Sequence, residues 1–521
     1  MSRYGVPPSA SWILSVLHLL LFWALLPAPS VAQEGPLRGL DAFVERGLRE
    51  WAVPGLAVAV VKGDSVILAR GYGVREVGTD QQVDSATVFG IMSMTKAFTA
   101  TAVGVLVDLG MVGWDDPVVR YLPGFHVYDD WVTRNVTVRD LLSHRMGVDR
   151  GDFLWYGTGY TRDEIVHHIR FLKPVAPFRG EYGYSNNMYI AAGQLMAGVT
   201  GLSWDEIIRR WIFQPLEMHS SCTSVEELAR FPNRSRPHEV LDGRLQAIPY
   251  RSLDNEAPGG SINSNVLDMA RWARLLLGRG ELEGRRVVSE GSLAETHSPQ
   301  TPIRLGDTAG RLNPGINFSA YGMGWQMQDY RGRKLLQHSG GIDGQRSRIA
   351  LLPEEGLAVV VLTNRGRQNL LFDAVRNWVL DAYLGAVGPD WHAEFLAVMR
   401  EQEEAEAAAL RRIQAERVEG TRPTLPLERF SGVYADSTYG GAQVRFESGA
   451  LVIRIGPELR GTMEHWHYNT FRVVWEYAYD QPLLATFELN GRGEVVGLSL
   501  PGWWPSYRRV GDLVPTVGGP R

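Results

Sequence analysis

The chain has 521 residues, of which 45% are hydrophobic and 21% charged, and it carries a net charge of −5. This is the composition of a folded protein with room for more than one core, and it excludes a disordered or low-complexity chain. Both charge signs are spread along the sequence with no concentrated basic face, so no nucleic-acid partner is expected.

The first predicted element is an export signal over residues 1–32. Arg3 supplies the positive flank, Trp12 to Leu26 the apolar run, and Ser30-Val31-Ala32 the small-residue cleavage site. The run is shorter than the ~20 apolar residues of a spanning helix. A secreted or periplasmic protein without an integral membrane span after signal cleavage is therefore expected; an uncleaved anchor is the competing reading. Cys222 is the only cysteine, which excludes an internal disulfide, and its neighbours supply no catalytic framework, so it reads as packing.

Leu37 to Trp51 has the spacing of an amphipathic helix, and Gly55 to Val61 with Ser65 to Gly71 reads as a hairpin. A helical run from Ser93 towards Leu109 follows, then helices at Val136 to Leu142, Thr161 to Leu172 and Met188 to Val199. Pro258 to Asn263 reads as a flexible loop, with Asn263 or Ser264 capping the next helix. Tyr321 to Gln328, Lys334 to His338, Arg346 to Leu352 and Leu357 to Leu362 read as consecutive antiparallel strands, closed by a helix over Phe372 to Leu384. Residues 33–385 thus predict an α+β domain, an antiparallel sheet flanked by helices plus a helical block. A linker over 386–425 contains the Glu- and Ala-rich stretch Glu401 to Glu419, expected to be a solvated helix. Residues 426–515 change to short alternating runs, predicting a small all-β domain. Its aromatic run (Trp466, Tyr468, Phe471, Trp475, Tyr477, Tyr479) is expected in the core, and Trp503-Trp504 is a candidate exposed patch.

Three segments carry chemistry. Ser93 and Lys96 stand three apart and share one helix face, pairing a hydroxyl nucleophile with an amine that can take its proton when burial keeps it neutral. A Ser-x-x-Lys match is nonspecific alone, but the whole chain has only four lysines, so one inside an apolar helix start is not an ordinary surface charge. The helix start beside Ser93 also offers free N–H groups where an oxyanion would form. Tyr184-Ser185-Asn186 offers a proton relay and an amide, and His338-Ser339-Gly340-Gly341 offers a proton donor or positive charge beside glycines that admit close approach.

In order and spacing, Ser93-Met94-Thr95-Lys96, Tyr184-Ser185-Asn186 and His338-Ser339-Gly340 resemble the three motifs of the penicillin-binding-protein and class C β-lactamase-like serine hydrolases (peptidase family S12 type). Val138 to His144, Tyr321-Gly322-Met323-Gly324-Trp325 and Gly259-Gly260 are similar to further family stretches, and the C-terminal domain resembles a lipocalin-like barrel. The resemblance implies a β-lactamase/transpeptidase-like fold. It also implies an acyl-enzyme on Ser93 with Lys96 as base, Tyr184 as relay, Asn186 holding Lys96 and substrate, and an oxyanion hole from the N–H groups of Ser93 and Gly341, with no cofactor and no metal. The chain departs at His338, where β-lactamases and transpeptidases usually carry lysine. That change resembles the esterase, D-aminopeptidase and peptidase-like branches, and it leaves recognition of a substrate carboxylate to Arg346 or Arg348.

The expected substrate is a small molecule or peptide with an ester or amide, D-amino-acid-containing peptides included. The alternative from another class is a non-catalytic cell-wall- or partner-binding protein on the same scaffold. The β domain is read as a structural or homo-oligomerisation module, or as a cover over the active-site mouth. No Gly-x-Ser-x-Gly or His-Glu-x-x-His motif occurs, and His167-His168 and His465-Trp466-His467 read as ordinary helix and strand positions.

Overall fold

Gly55–Lys62 is buried at every residue except the last, and Leu357–Thr363 at every residue. Such strands need cover on both faces. The computed structural model, which describes residue 1 and residues 35–476, 483–500 and 506–512, places them side by side in an eight-stranded sheet. Across the sheet the order is Ser65–Gly73, Gly55–Lys62, Leu357–Thr363, Gln345–Leu352, Arg333–Ile342, Gln326–Tyr330, Ser319–Tyr321 and Thr301–Pro302, every neighbour antiparallel. Alternation then sorts the side chains. Leu56, Val58 and Val60 face the helices Leu40–Glu50 and Leu371–Leu384, whereas Ala57, Ala59 and Val61 face a larger helical block. At the centre of that block runs Thr95–Asp108, buried along most of its circumference, with Phe98 stacked on Trp272 at 3.9 Å.

The expected export signal, Tyr477, Tyr479 and Trp503-Trp504 lie outside the described residues. Among the described residues no helix is long and apolar enough to cross a membrane. Several expectations are corrected. The stretch read as a flexible loop is a buried helical turn, Ala257–Gly260, and the following helix Val266–Leu277 is capped by the Asn265 side chain. Tyr321 to Gln328 is two strands, because Gly324 turns the chain at φ +79°. The connecting helix spans Trp391–Ala415, earlier than expected; Trp391, Phe395 and Val398 bury its first turns, so only its second half is solvated.

The C-terminal strands close into an eight-stranded barrel in sequence order, the last strand Ser506–Gly511 pairing with the first, Gly432–Asp436. Both end strands and Leu459–His467 carry weak hydrophobic runs that the sequence pattern does not single out. Phe471 and Trp475 lie in the barrel core, but Trp466 is covered from outside by the Arg417 guanidinium at 4.9 Å and Tyr468 is exposed.

The barrel rests on the helical block. Phe153 and Tyr156 pack against its core, Thr438 O meets the His168 ring at 2.7 Å, and Arg251 bridges Asp343 and Glu458 at 2.5 Å each. A cleft of about 500 Å³ opens there, lined in part by Tyr250, Arg251, Asp343, Arg454 and Glu458.

Candidate active site

The Ser93 turn is held from two sides. Phe89–Gly90 pairs with Asn263–Ser264, Gly90 N donates to Gln345 Oε1 at 2.9 Å, and Ile91 N donates to Ile262 O at 2.9 Å. Ser347 Oγ donates to Ile91 O at 2.8 Å. Between these clamps Met92 sits at φ +48°, an uncommon conformation for a residue with a side chain, and one that persists only where the surroundings enforce it. Ser93 follows in the 3-10 turn Met92–Met94, which runs directly into Thr95–Asp108. Gly340 packs on this turn: a Cβ there would stand 2.1 Å from Ile91 O.

Lys96 is fully buried, while Ser93 and Tyr184 remain half-buried and open to the site mouth. Lys96 Nζ donates to Asn186 Oδ1 at 2.7 Å and to Gly259 O at 2.8 Å, and lies 3.2 Å from Ser93 Oγ. Two obligate acceptors use two N–H groups, so the third direction points at a hydroxyl, which can accept from an ammonium or donate to a neutral amine. Burial pushes the Lys96 pKa down to about 8, against the pull of Glu256 and Asp152. Asn186 cannot turn over, because its Nδ2 donates to Asp152 Oδ1 at 3.1 Å and a carboxylate only accepts.

The Tyr184 ring lies 4.9 Å from Lys96 Nζ and 4.2 Å from the His144 ring. Burial raises its hydroxyl pKa well above the usual tyrosine value, partly offset by the adjacent Ser93 hydroxyl, so the phenol keeps its proton at neutral pH.

His338 does not present the proton donor or positive charge considered for it. Its Nδ1 is bound to Ser339 O at 2.6 Å and its Nε2 to the Tyr321 hydroxyl at 2.9 Å. A carbonyl only accepts, so Nδ1 carries the proton and Nε2 accepts from Tyr321. Burial and nearby Lys96 push the ring down to about 3 and keep it neutral. Gly341 is exposed, and the Arg346 side chain lies beside it, donating to Ile342 O and Gln345 O at 2.9 Å. Arg348 is spent on Asp373 at 2.8 Å and does not reach the site.

The model of the Beta-lactamase family matches residues 40–383. The chain belongs to the beta-lactamase family. Residues 416–510 match a domain of unknown function, DUF3471. The chain is 32% identical over 419 residues to unguisins hydrolase ungD' of Aspergillus campestris, covering 76% of this chain and 75% of that one. It is 33% identical to penicillin-binding protein 4 of Amycolatopsis lactamdurans, over 66% of this chain and 88% of that one. In fold it is similar to the octameric penicillin-binding protein homologue from Pyrococcus abyssi, with TM-score 0.60 and 22% identity over 90% of this chain and 98% of that one.

In this beta-lactamase-family serine hydrolase, then, the fold gathers Ser93, Lys96, Tyr184 and Asn186 at one place and sets Gly340 against the Ser93 turn, with Gly341 next to it in the strand and exposed. Sequence reasoning missed Asp152, the Gly259 carbonyl and Glu256. Asp152 falls in the irregular stretch 149–160, where nothing in the sequence marks it. Glu256 sits in the polar stretch Asp254-Asn255-Glu256, where nothing sets it apart from Asp254; its carboxyl is buried, with Oε1 3.8 Å from Lys96 Nζ. Residues 299–318 run along the far edge of the sheet, where Arg311 reaches Glu401 of the connecting helix.

Proposed function

We propose that this protein is an exported serine hydrolase that opens an ester or amide, D-amino-acid-containing peptides included, through an acyl-enzyme on Ser93. In this reading neutral Lys96 takes the Ser93 proton as Oγ attacks the substrate carbonyl carbon. The oxyanion settles on the N–H groups of Ser93 and Gly341. The proton passes by way of Tyr184 to the leaving alcohol or amine, and water then attacks the acyl-enzyme with the proton route reversed. One observation carries the proposal: with two of its hydrogen-bonding directions fixed on Asn186 and Gly259, Lys96 has only Ser93 Oγ in the third.

Relatives are named as a hydrolase of unguisins and as a penicillin-binding protein. A neutral His338 offers no cation for a free carboxylate, which fits an ester or an internal amide better than a substrate held by its terminus.

The test is intact-protein mass spectrometry of wild type and Ser93→Ala after exposure to a fluorophosphonate, a penicillin, an activated short-chain ester and a D-alanyl amide. A Ser93-dependent mass gain is expected, and the compound giving a transient adduct defines the acyl donor. Equal labelling of Ser93→Ala overturns the assignment, and no adduct with any compound favours a binding protein. N-terminal sequencing of the protein recovered outside the cytoplasm is expected to begin at Gln33.

A further inference from the structure

The acid that faces Lys96 plays no part in the scheme above. The structure assigns it one: we propose that Glu256, acting as a carboxylate, is a positioning residue that holds the positive charge Lys96 acquires during acylation and sets when that lysine gives its proton up. This rests on the Ser93 acyl-enzyme reading.

The placement of Glu256 is hard to explain by packing. Its side chain is buried at 2% exposure, and its Oε1 has no hydrogen-bond partner. A buried carboxyl with an orphaned oxygen is costly, and an apolar side chain of similar size would be preferred there on stability grounds. The chain nevertheless makes room for it. The carboxyl folds back over its own helical turn, so that a Cβ at Gly259 would stand 1.9 Å from Oε1 and one at Gly260 would stand 2.3 Å from Oε2. The adjacent glycines therefore admit the acid as well as bringing the Gly259 carbonyl to Lys96.

At 3.8 Å from Nζ, Glu256 is too far to be a hydrogen-bond partner. The three directions around Nζ are already filled by Asn186, Gly259 and Ser93. What remains is charge, which acts strongly across a short, dry distance. When the Ser93 O–H bond breaks and the Nζ–H bond forms, Lys96 becomes an ammonium in a buried site, and a carboxylate alongside stabilises it.

The other groups around the pair have their own partners. Asp152 accepts from Asn186 and from Trp155 Nε1 at 2.9 Å, and pairs with Arg150. Arg162, which faces Glu256, pairs with Asp205 at 2.6 Å. Around Lys96 stand the protonated phenols Tyr184 and Tyr189 and, further back, the neutral rings of His144 and His338. Glu256 is thus the acid closest to Lys96 with an oxygen uncommitted. Consistent with mutual influence, burial lowers Lys96 and raises Glu256, both to about 8, and each opposes the shift of the other.

The experiment measures the second-order rate of fluorophosphonate labelling by intact mass, between about pH 5.5 and about pH 10, on full-length wild type, Glu256→Gln and Glu256→Asp. Loss of the carboxylate makes Lys96 easier to deprotonate. Glu256→Gln is therefore expected to move the acidic limb of the profile down by about half a pH unit or more. It is also expected to lower the plateau rate about tenfold, because the developing ammonium loses its counter-charge. Glu256→Asp, its carboxylate drawn back by one methylene, is expected to fall between the two, and it carries the same test should Glu256→Gln fail to fold. An unshifted limb in the variant that folds, whether rates stay high or fall equally at every pH, overturns the proposal and leaves a packing role. Labelling that persists in Ser93→Ala overturns the acyl-enzyme reading instead; Ser93-dependent labelling with an unshifted limb removes only Glu256.

Discussion

Lys96 Nζ donates to Asn186 Oδ1 at 2.7 Å across ninety residues of sequence, and this bond orients the amine towards Ser93. The amide is itself held by Asp152. Asn186→Ala is expected to lower acylation about 100-fold, and Asp152→Ala, which frees the amide to turn its Nδ2 towards Lys96, about tenfold. Both variants should keep a thermal midpoint within a few degrees of wild type. Equal acylation rates in all three proteins would remove the orienting role.

The base proposed, Lys96, must be neutral to act. Its pKa is pushed down to about 8, so the protonated, inactive form dominates below that value. Ester hydrolysis is expected to rise with pH, approaching tenfold per unit below about 8, and to level off above it. A profile already flat by pH 6 would show that some other group takes the Ser93 proton.

Gly340→Ala should fail for a steric reason. The added carbon would stand 2.1 Å from Ile91 O and 2.4 Å from Ser347 Oγ, pushing on the bond that clamps the Ser93 turn. A destabilisation of about 1–3 kcal/mol is expected, with loss of labelling at Ser93. Denaturant melts and labelling yields measured together check it; normal values for both contradict the packing described.

Three buried imidazoles predict acid sensitivity. Burial is the largest cause in each: His297 and His338 are pushed down to about 3, and His144 well below its ordinary 6.5. Because their folded values are depressed, unfolding takes up protons between 6.5 and about 3. Stability is full above 6.5 and falls as pH drops through that window, by up to ~1.4 kcal/mol per pH unit for each ring. His297, with an unpartnered Nε2 against Trp325, lies outside the site. His297→Phe should flatten part of the slope of denaturant midpoint against pH between about 6.5 and about 4; an unchanged slope would exclude it.

Arg251 ties the barrel to the end of the His338 strand through Glu458 and Asp343. Arg251→Ala is expected to loosen that docking, so that trypsin cuts the connection near residues 416–431 several times faster and unfolding separates into two transitions. Unchanged proteolysis would mean that Phe153 and Tyr156 suffice to seat the barrel.

Much of this protein follows from local pattern. The fully apolar runs at Gly55 and Leu357 can only be central strands, and the run after Ser93 can only be a buried helix. Ser-x-x-Lys spacing by itself puts hydroxyl and amine on one face. What the sequence could not decide is which distant groups complete the site. The Gly259 carbonyl and Glu256 meet Lys96 only because the turn Ala257–Gly260 is buried against Thr95–Asp108, and a run of Pro and Gly looks locally like a loop; Asp152 joins them only through the Asn186 amide. The state of His338 is likewise tertiary: its neutrality depends on the Tyr321 hydroxyl and on exclusion of water, neither of which is a property of the residues beside it. Periodicity determines which elements form and which face they bury; packing determines which polar atoms lose water together, and the charge carried by each buried group depends on that loss.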